Sequence, residues 1–234
     1  MSQMKIKRAA NKGQHNEDPN SSFRMINSGS YRDLSTVWVT PAPNGVLDMQ
    51  VVFQSWLTMR MPLNQKVLRV GIGNGEVGHA YEAAVEMILR DPIKFKYMLT
   101  VETDNLPPRD GLIQLYESIE KYDAVGGLYW MKQAMGTPMI YGDPRTPEDF
   151  TPQVPIPDAL QQCNGLGMGF TLFNVDMFRK VPQPWFIHSE GIQHDECPTQ
   201  DLFFFQKAAK YGFKFACDNR VKVGHIDLST RQIY

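Results

Sequence analysis

Between Ser35 and Ile119 the chain alternates, three times over, a short β-branched or aromatic run with a longer run of helical apolar spacing, and few folds accommodate that rhythm. Ser35-Thr36-Val37-Trp38-Val39-Thr40 reads as a strand that stops at Pro41. Met49, Val52, Phe53 and Trp56 then recur at helical spacing, and Pro62 closes that element. Lys66 to Gly71 reads as a second strand, followed by a helix with Ala80, Ala84, Met87 and Ile88 on one face. A third strand, Lys96 to Thr103, leads through Asp104-Asn105 and Pro107-Pro108 into a helix striped by Leu112, Leu115, Tyr116 and Ile119. Consecutive βα units predict an α/β, Rossmann-type domain: a mostly parallel central sheet flanked by helices, with ligands at the carboxyl ends of the strands.

After Tyr122 the rhythm changes. Asp123 to Met131 and Gly165 to Phe173 read as strands on either side of a proline-rich loop, Gly142 to Pro157. A long loop from Val181 to Pro198 precedes a last helix, Thr199 to Tyr211, and two short strands follow, Lys214 to Cys217 and Val221 to His225. Residues 1–30 hold five Lys or Arg against two Asp or Glu and show no periodicity, which predicts a flexible basic arm before a folded domain over 31–234.

Charge and cysteine usage narrow the function classes. Lys plus Arg (24) nearly balances Asp plus Glu (25), so the surface as a whole is not tuned to nucleic-acid phosphates. No apolar run approaches the roughly 18 to 20 residues of a membrane span, and the basic start lacks the apolar stretch of a secretory signal, so a cytoplasmic location is expected. Cys163, Cys197 and Cys217 form no CxxC pair and read as reduced thiols. His188, His194, Asp195, Glu196 and Cys197 cluster without a common zinc spacing.

Two motifs carry candidate chemistry. Gly73-Asn74-Gly75-Glu76-Val77-Gly78 is a literal GxGxxG between a strand and a helix, the setting of a dinucleotide or S-adenosylmethionine site. A whole βα unit precedes it, however, and Arg69 stands where methyltransferases usually carry an acid. The second motif is Glu102-Thr103-Asp104-Asn105, whose two carboxylates at a strand-to-turn junction suit one hard cation, or else a solvated turn stabilised by Asp104.

Further segments follow that acidic motif in order: Cys163-Asn164-Gly165-Leu166-Gly167-Met168-Gly169-Phe170, Val175-Asp176-Met177-Phe178, Gln183-Pro184-Trp185-Phe186, Thr199-Gln200-Asp201-Leu202-Phe203-Phe204, and Asp218 through Gly224-His225. With Val101 to Asn105 they make a pattern, over roughly residues 35 to 228, that resembles the nucleotide-diphospho-sugar-dependent glycosyltransferases of the GT-A fold, particularly bacterial and phage members similar to family 2.

The resemblance implies a metal-dependent hexosyltransferase-type enzyme that moves a sugar from a nucleotide diphosphate sugar to an acceptor hydroxyl with inversion. Glu102 and Asp104 match the acid-x-acid motif and His225 the late histidine, which together imply a shell for Mn2+ or Mg2+. Thr40, Pro41 and Asn105 join Glu102 and Asp104 on the implied donor side. Gly165, Gly167 and Gly169 match a flexible segment beside sugar and acceptor, Trp185 an aromatic that stacks there, and Asp201 the catalytic base. Where many relatives carry Ala-Arg-Asn this chain has Ala80-Tyr81-Glu82, and Gln200 replaces a frequent Glu. The acceptor is left open among a glycan, a lipid-linked intermediate, a protein and a modified nucleic-acid base. The rival readings are a methyltransferase built on the GxGxxG turn and a sugar-nucleotide or glycan-binding module without catalysis.

Overall fold

The β-branched run around Val37 and Val39 forms β1 (Thr36–Ala42), whose seven residues are all buried. The structure is a computed structural model that describes residues 32–73, 75–132, 136–186 and 199–234. The basic arm expected over residues 1–30, Asn74, and the segment carrying His188, His194, Asp195, Glu196 and Cys197 lie outside the described residues. β1 runs through Pro41, where the sequence predicts its end. Beyond Val39 only one neighbouring strand continues alongside, and a residue without an N–H is tolerated there.

Asp48 caps α1 (Met49–Val51), its Oδ1 accepting from the N–H of Gln50 at 2.8 Å, and the chain continues as one π-helical turn, Val52–Trp56. Its inward face is not the expected stripe: Val51, Ser55 and Trp56 are buried, whereas Met49 and Phe53 are 66% and 57% exposed. The wider turn shifts the phase, and two hydrogen bonds hold it, from Ser55 Oγ to the Pro107 carbonyl at 2.7 Å and from Trp56 Nε1 to the Asn105 carbonyl at 3.0 Å. β2 (Val67–Gly73) is followed by α2 (Val77–Arg90), which buries Ala80, Tyr81, Ala84, Val85 and Ile88. β3 (Tyr97–Val101) and β4 (Asn105–Leu106) then lead to α3 (Gly111–Ser118), whose Leu112, Leu115 and Tyr116 are buried as predicted.

The second half holds β5 (Ala124–Leu128), β6 (Ile140–Tyr141), β7 (Leu160–Cys163), β8 (Gly165–Leu166), β9 (Phe170–Asn174), α4 (Asp176–Lys180), α5 (Gln200–Ala209), β10 (Phe215–Lys222) and β11 (Gly224–His225). The expected strand Gly165 to Phe173 is two strands. β8 pairs with β6, while β9 inserts antiparallel between β3 and β5. The two C-terminal strands are regrouped as well, since β10 runs on to Lys222 with a register break after Asp218. That break accompanies a fully buried Asp218, which accepts from Ser118 Oγ at 2.5 Å and from Arg220 Nε at 2.8 Å.

The main sheet has the order β2-β1-β3-β9-β5-β10-β7. β2, β1, β3, β5 and β10 run one way and β9 and β7 the other, so the sheet is mostly parallel. Phe173, Phe178, Phe186, Phe204, Phe205 and Phe215 fill the space under α2, α4 and α5, with centroid separations between 4.8 and 6.2 Å among contacting pairs. Each large ring so buried contributes on the order of 2 kcal/mol.

Candidate active site

The carboxyl end of β3 delivers Glu102 and Asp104 to one place. Two distant parts of the chain meet them there. β11 lies antiparallel to β4, pairing His225 with Asn105, and Ile226 N–H donates to the Asp104 carbonyl at 2.9 Å. The last residues fold back on this strand: His225 and Tyr234 exchange backbone hydrogen bonds of 3.1 and 3.0 Å. His225 Nδ1 donates to the Trp130 carbonyl at 2.7 Å, which fixes the ring and presents Nε2 to Asp104 Oδ2 at 3.6 Å. Lys132 Nζ donates to the same oxygen.

The acids are in different electrostatic states. Burial pushes the Asp104 carboxyl up, but its contacts with His225 and Lys132 outweigh that and leave it below the ordinary carboxylate range. Glu102 is pushed up to about 8 by burial and by the neighbouring charges of Asp104 and Asp201. Its carboxylate accepts from Tyr81 Oη at 3.2 Å, and burial raises the Tyr81 and Tyr129 hydroxyls with Glu102 close by. Asp201, in the first turn of α5 and 7% exposed, is also raised by burial, opposed by hydrogen bonds from Thr199 and from the Leu202 N–H at 2.9 Å. The charges of Asp104 and Asp201 thus both act on Glu102.

Asp104 and His225 are matched donors, but Glu102 is turned toward Tyr81 and does not complete a third position. Among the described residues no three His, Cys, Asp or Glu side chains gather as a metal site requires. With Lys132 on the acidic oxygen as well, the described side chains alone build no closed divalent-ion shell, and an ion on Asp104 and His225 would take its remaining ligands from a bound diphosphate and water.

A cavity of about 430 Å³ opens at the same end of the sheet. Its floor is three rungs of the β1–β2 ladder, Trp38 with Arg69, Thr40 with Gly71, and Ala42 with Gly73. The Arg69 guanidinium stacks over the Trp38 ring at 4.8 Å, and Trp56 forms part of the wall while bonding Asn105 beside the acidic motif. Thr40 Oγ1 accepts from Trp38 Nε1 at 2.9 Å. Pro41 alternates to the opposite face.

Other expected residues sit deeper. The Asn105 amide is fully buried and has no hydrogen-bond partner among the described residues. Gly165, Gly167 and Gly169 belong to a buried, close-packed passage rather than an open segment. A Cβ at Gly167 would lie 2.1 Å from Tyr129 Oη and one at Gly169 2.5 Å from Asn105 Oδ1, so packing demands glycine at both. Trp185 is a core residue: 5% exposed, it donates to the Val181 carbonyl at 2.7 Å and meets Phe178 edge-on. The GxGxxG turn leaves an edge strand, β2, whereas dinucleotide sites sit at a switch point inside the sheet. Sequence reasoning missed Tyr81, Tyr129, Lys132 and Trp56; the aromatic-basic run Tyr129-Trp130-Met131-Lys132 at the end of β5 was the available signal.

No family model and no curated protein sequence matches the chain. Among solved structures it is similar to A197 from STIV, at 17% identity and a TM-score of 0.61 over 85% of this chain and 92% of that one. It is also similar to GalNAc-T7, whose structure holds UDP, GalNAc and Mn2+, at 10% identity and a TM-score of 0.54 over 85% of this chain. The match spans 45% of the GalNAc-T7 chain. Likeness at these identities speaks to architecture alone, and that architecture is GT-A-like: a mostly parallel central sheet flanked by helices.

Proposed function

We propose that this protein transfers a sugar from a nucleotide diphosphate sugar to an acceptor hydroxyl with inversion at the anomeric carbon. The reading is supported by the charges of Asp104 and Asp201 both acting on Glu102 beyond the end of β3, and by the cavity over the ends of β1 and β2. The cavity beside Thr40 takes the nucleoside, with Arg69 stacked on the base, and the diphosphate runs toward Asp104. Asp201 is the base. Its raised proton affinity brings a carboxylate closer to working pH.

In the step, the acceptor oxygen bonds to the anomeric carbon as its proton passes to the Asp201 carboxylate. The bond from that carbon to the diphosphate oxygen breaks, and its electron pair leaves with the diphosphate. Glu102, held largely protonated by its surroundings, adds no second negative charge beside the leaving group.

A panel of sugar nucleotides, assayed for release of nucleoside diphosphate, tests the reading. Asp201→Asn should lower turnover by roughly a hundredfold or more while donor binding persists. A product with the donor's anomeric configuration, or full turnover by that variant, refutes the role of Asp201. Donor binding without release by the unaltered protein favours a binding module.

A further inference from the structure

Lys132 stands where the acidic motif meets its counter-charge. Its ammonium lies on Asp104 Oδ2, the oxygen that His225 Nε2 also faces, and its side chain is 26% exposed. Backbone pairing places it: Met131 N–H donates to the Thr137 carbonyl at 2.8 Å, Met139 N–H to Tyr129 at 2.9 Å, and Trp130 bridges Pro138. An ammonium has three donors, and among the described residues Asp104 is the partner of one. A divalent ion at Asp104 Oδ2 would compete with this charge, and Glu102 Oε1 is engaged by Tyr81 Oη at 3.2 Å.

We infer that Lys132, rather than a metal ion, supplies the positive charge that binds and neutralises the donor diphosphate. The inference rests on the nucleotide-sugar reading of the site. Two N–H groups of the lysine reach phosphate oxygens while the third keeps its hold on Asp104, so the ammonium stays oriented as negative charge grows on the leaving group.

Calorimetric titration with a panel of nucleoside diphosphates, in EDTA and in Mn2+, tests it on the wild-type chain, Lys132→Ala and Lys132→Arg, with melting curves as a control for folding. The wild type should bind in EDTA, and Mn2+ should change its affinity by no more than about threefold. Lys132→Ala should lose roughly tenfold to a hundredfold in EDTA, the range for a lost hydrogen bond to a charged group, and Lys132→Arg should keep most of the affinity. Wild-type binding that requires Mn2+, or wild-type affinity in folded Lys132→Ala in EDTA, overturns the lysine's role and leaves the donor reading standing. Absence of binding under every condition refutes the donor reading and the inference with it.

Discussion

Gly71 gives access to the cavity proposed for the nucleoside without disturbing the fold. It lies on the second rung of the cavity floor, opposite Thr40, and a Cβ built there meets nothing within 4 Å. β2 is an edge strand, where a β-branched side chain is favoured by a few tenths of a kcal/mol to about 1 kcal/mol over glycine. Gly71→Val should therefore melt at or slightly above the wild-type temperature. Three added carbons, each about the ~30 Å³ that a water occupies, take on the order of 90 Å³. The cavity measures about 430 Å³, so a fifth of it is filled beside the Arg69–Trp38 stack. A displaced base loses stacking worth ~1–3 kcal/mol, or roughly five- to 150-fold in affinity. Calorimetry with a nucleoside diphosphate beside inorganic pyrophosphate separates the effects: the first should weaken and the second should not. Unchanged nucleoside diphosphate binding, or equal weakening of pyrophosphate, would refute the assignment of this cavity.

Two further outcomes follow from the acid cluster and the glycine passage. Glu102 binds a proton more tightly folded than unfolded, so between about pH 4.5 and 8 the native state holds the extra proton and stability falls as pH rises, by as much as ~1.4 kcal/mol per unit, then levels off. Glu102→Gln should remove that part of the decline, and denaturant midpoints that fall with pH as in the wild type would contradict the proton affinity assigned to Glu102. Gly167→Ala forces a methyl to 2.1 Å from Tyr129 Oη and should cost ~1–3 kcal/mol, part of which Tyr129→Phe recovers by removing that oxygen; an Ala variant as stable as the wild type would show that the passage yields.

The first half of the fold was legible because its periodicities are strong and local. Val37, Val39, Ala80, Ala84, Leu112 and Leu115 are buried where their spacing puts them. The Met49 to Trp56 segment misled because its face is chosen by hydrogen bonds to Pro107 and Asn105, partners about fifty residues away that no local pattern reveals. The split of Gly165 to Phe173 was equally hidden, since only long-range pairing tells β8 from β9. At the site, His225 Nε2 faces Asp104 Oδ2 at 3.6 Å, two residues that the sequence singled out far apart in the chain. Trp185 was not legible: an aromatic beside a loop looks the same in sequence whether its ring faces a ligand or the core.

The strand order also governs the order in which parts of the sheet can assemble during synthesis. The edge of β3 stays open until β9 emerges, and the backbone of Asp104 gains its partner Ile226 only once β11, far downstream, has been made. Such distant pairings close slowly, and exposed strand edges attract other chains while they wait. A nascent chain therefore carries the cavity floor early, as β1 and β2, well before β11 brings His225 to Asp104. A ligand held by that floor would stabilise the nascent fold well before the rest of the site is in place.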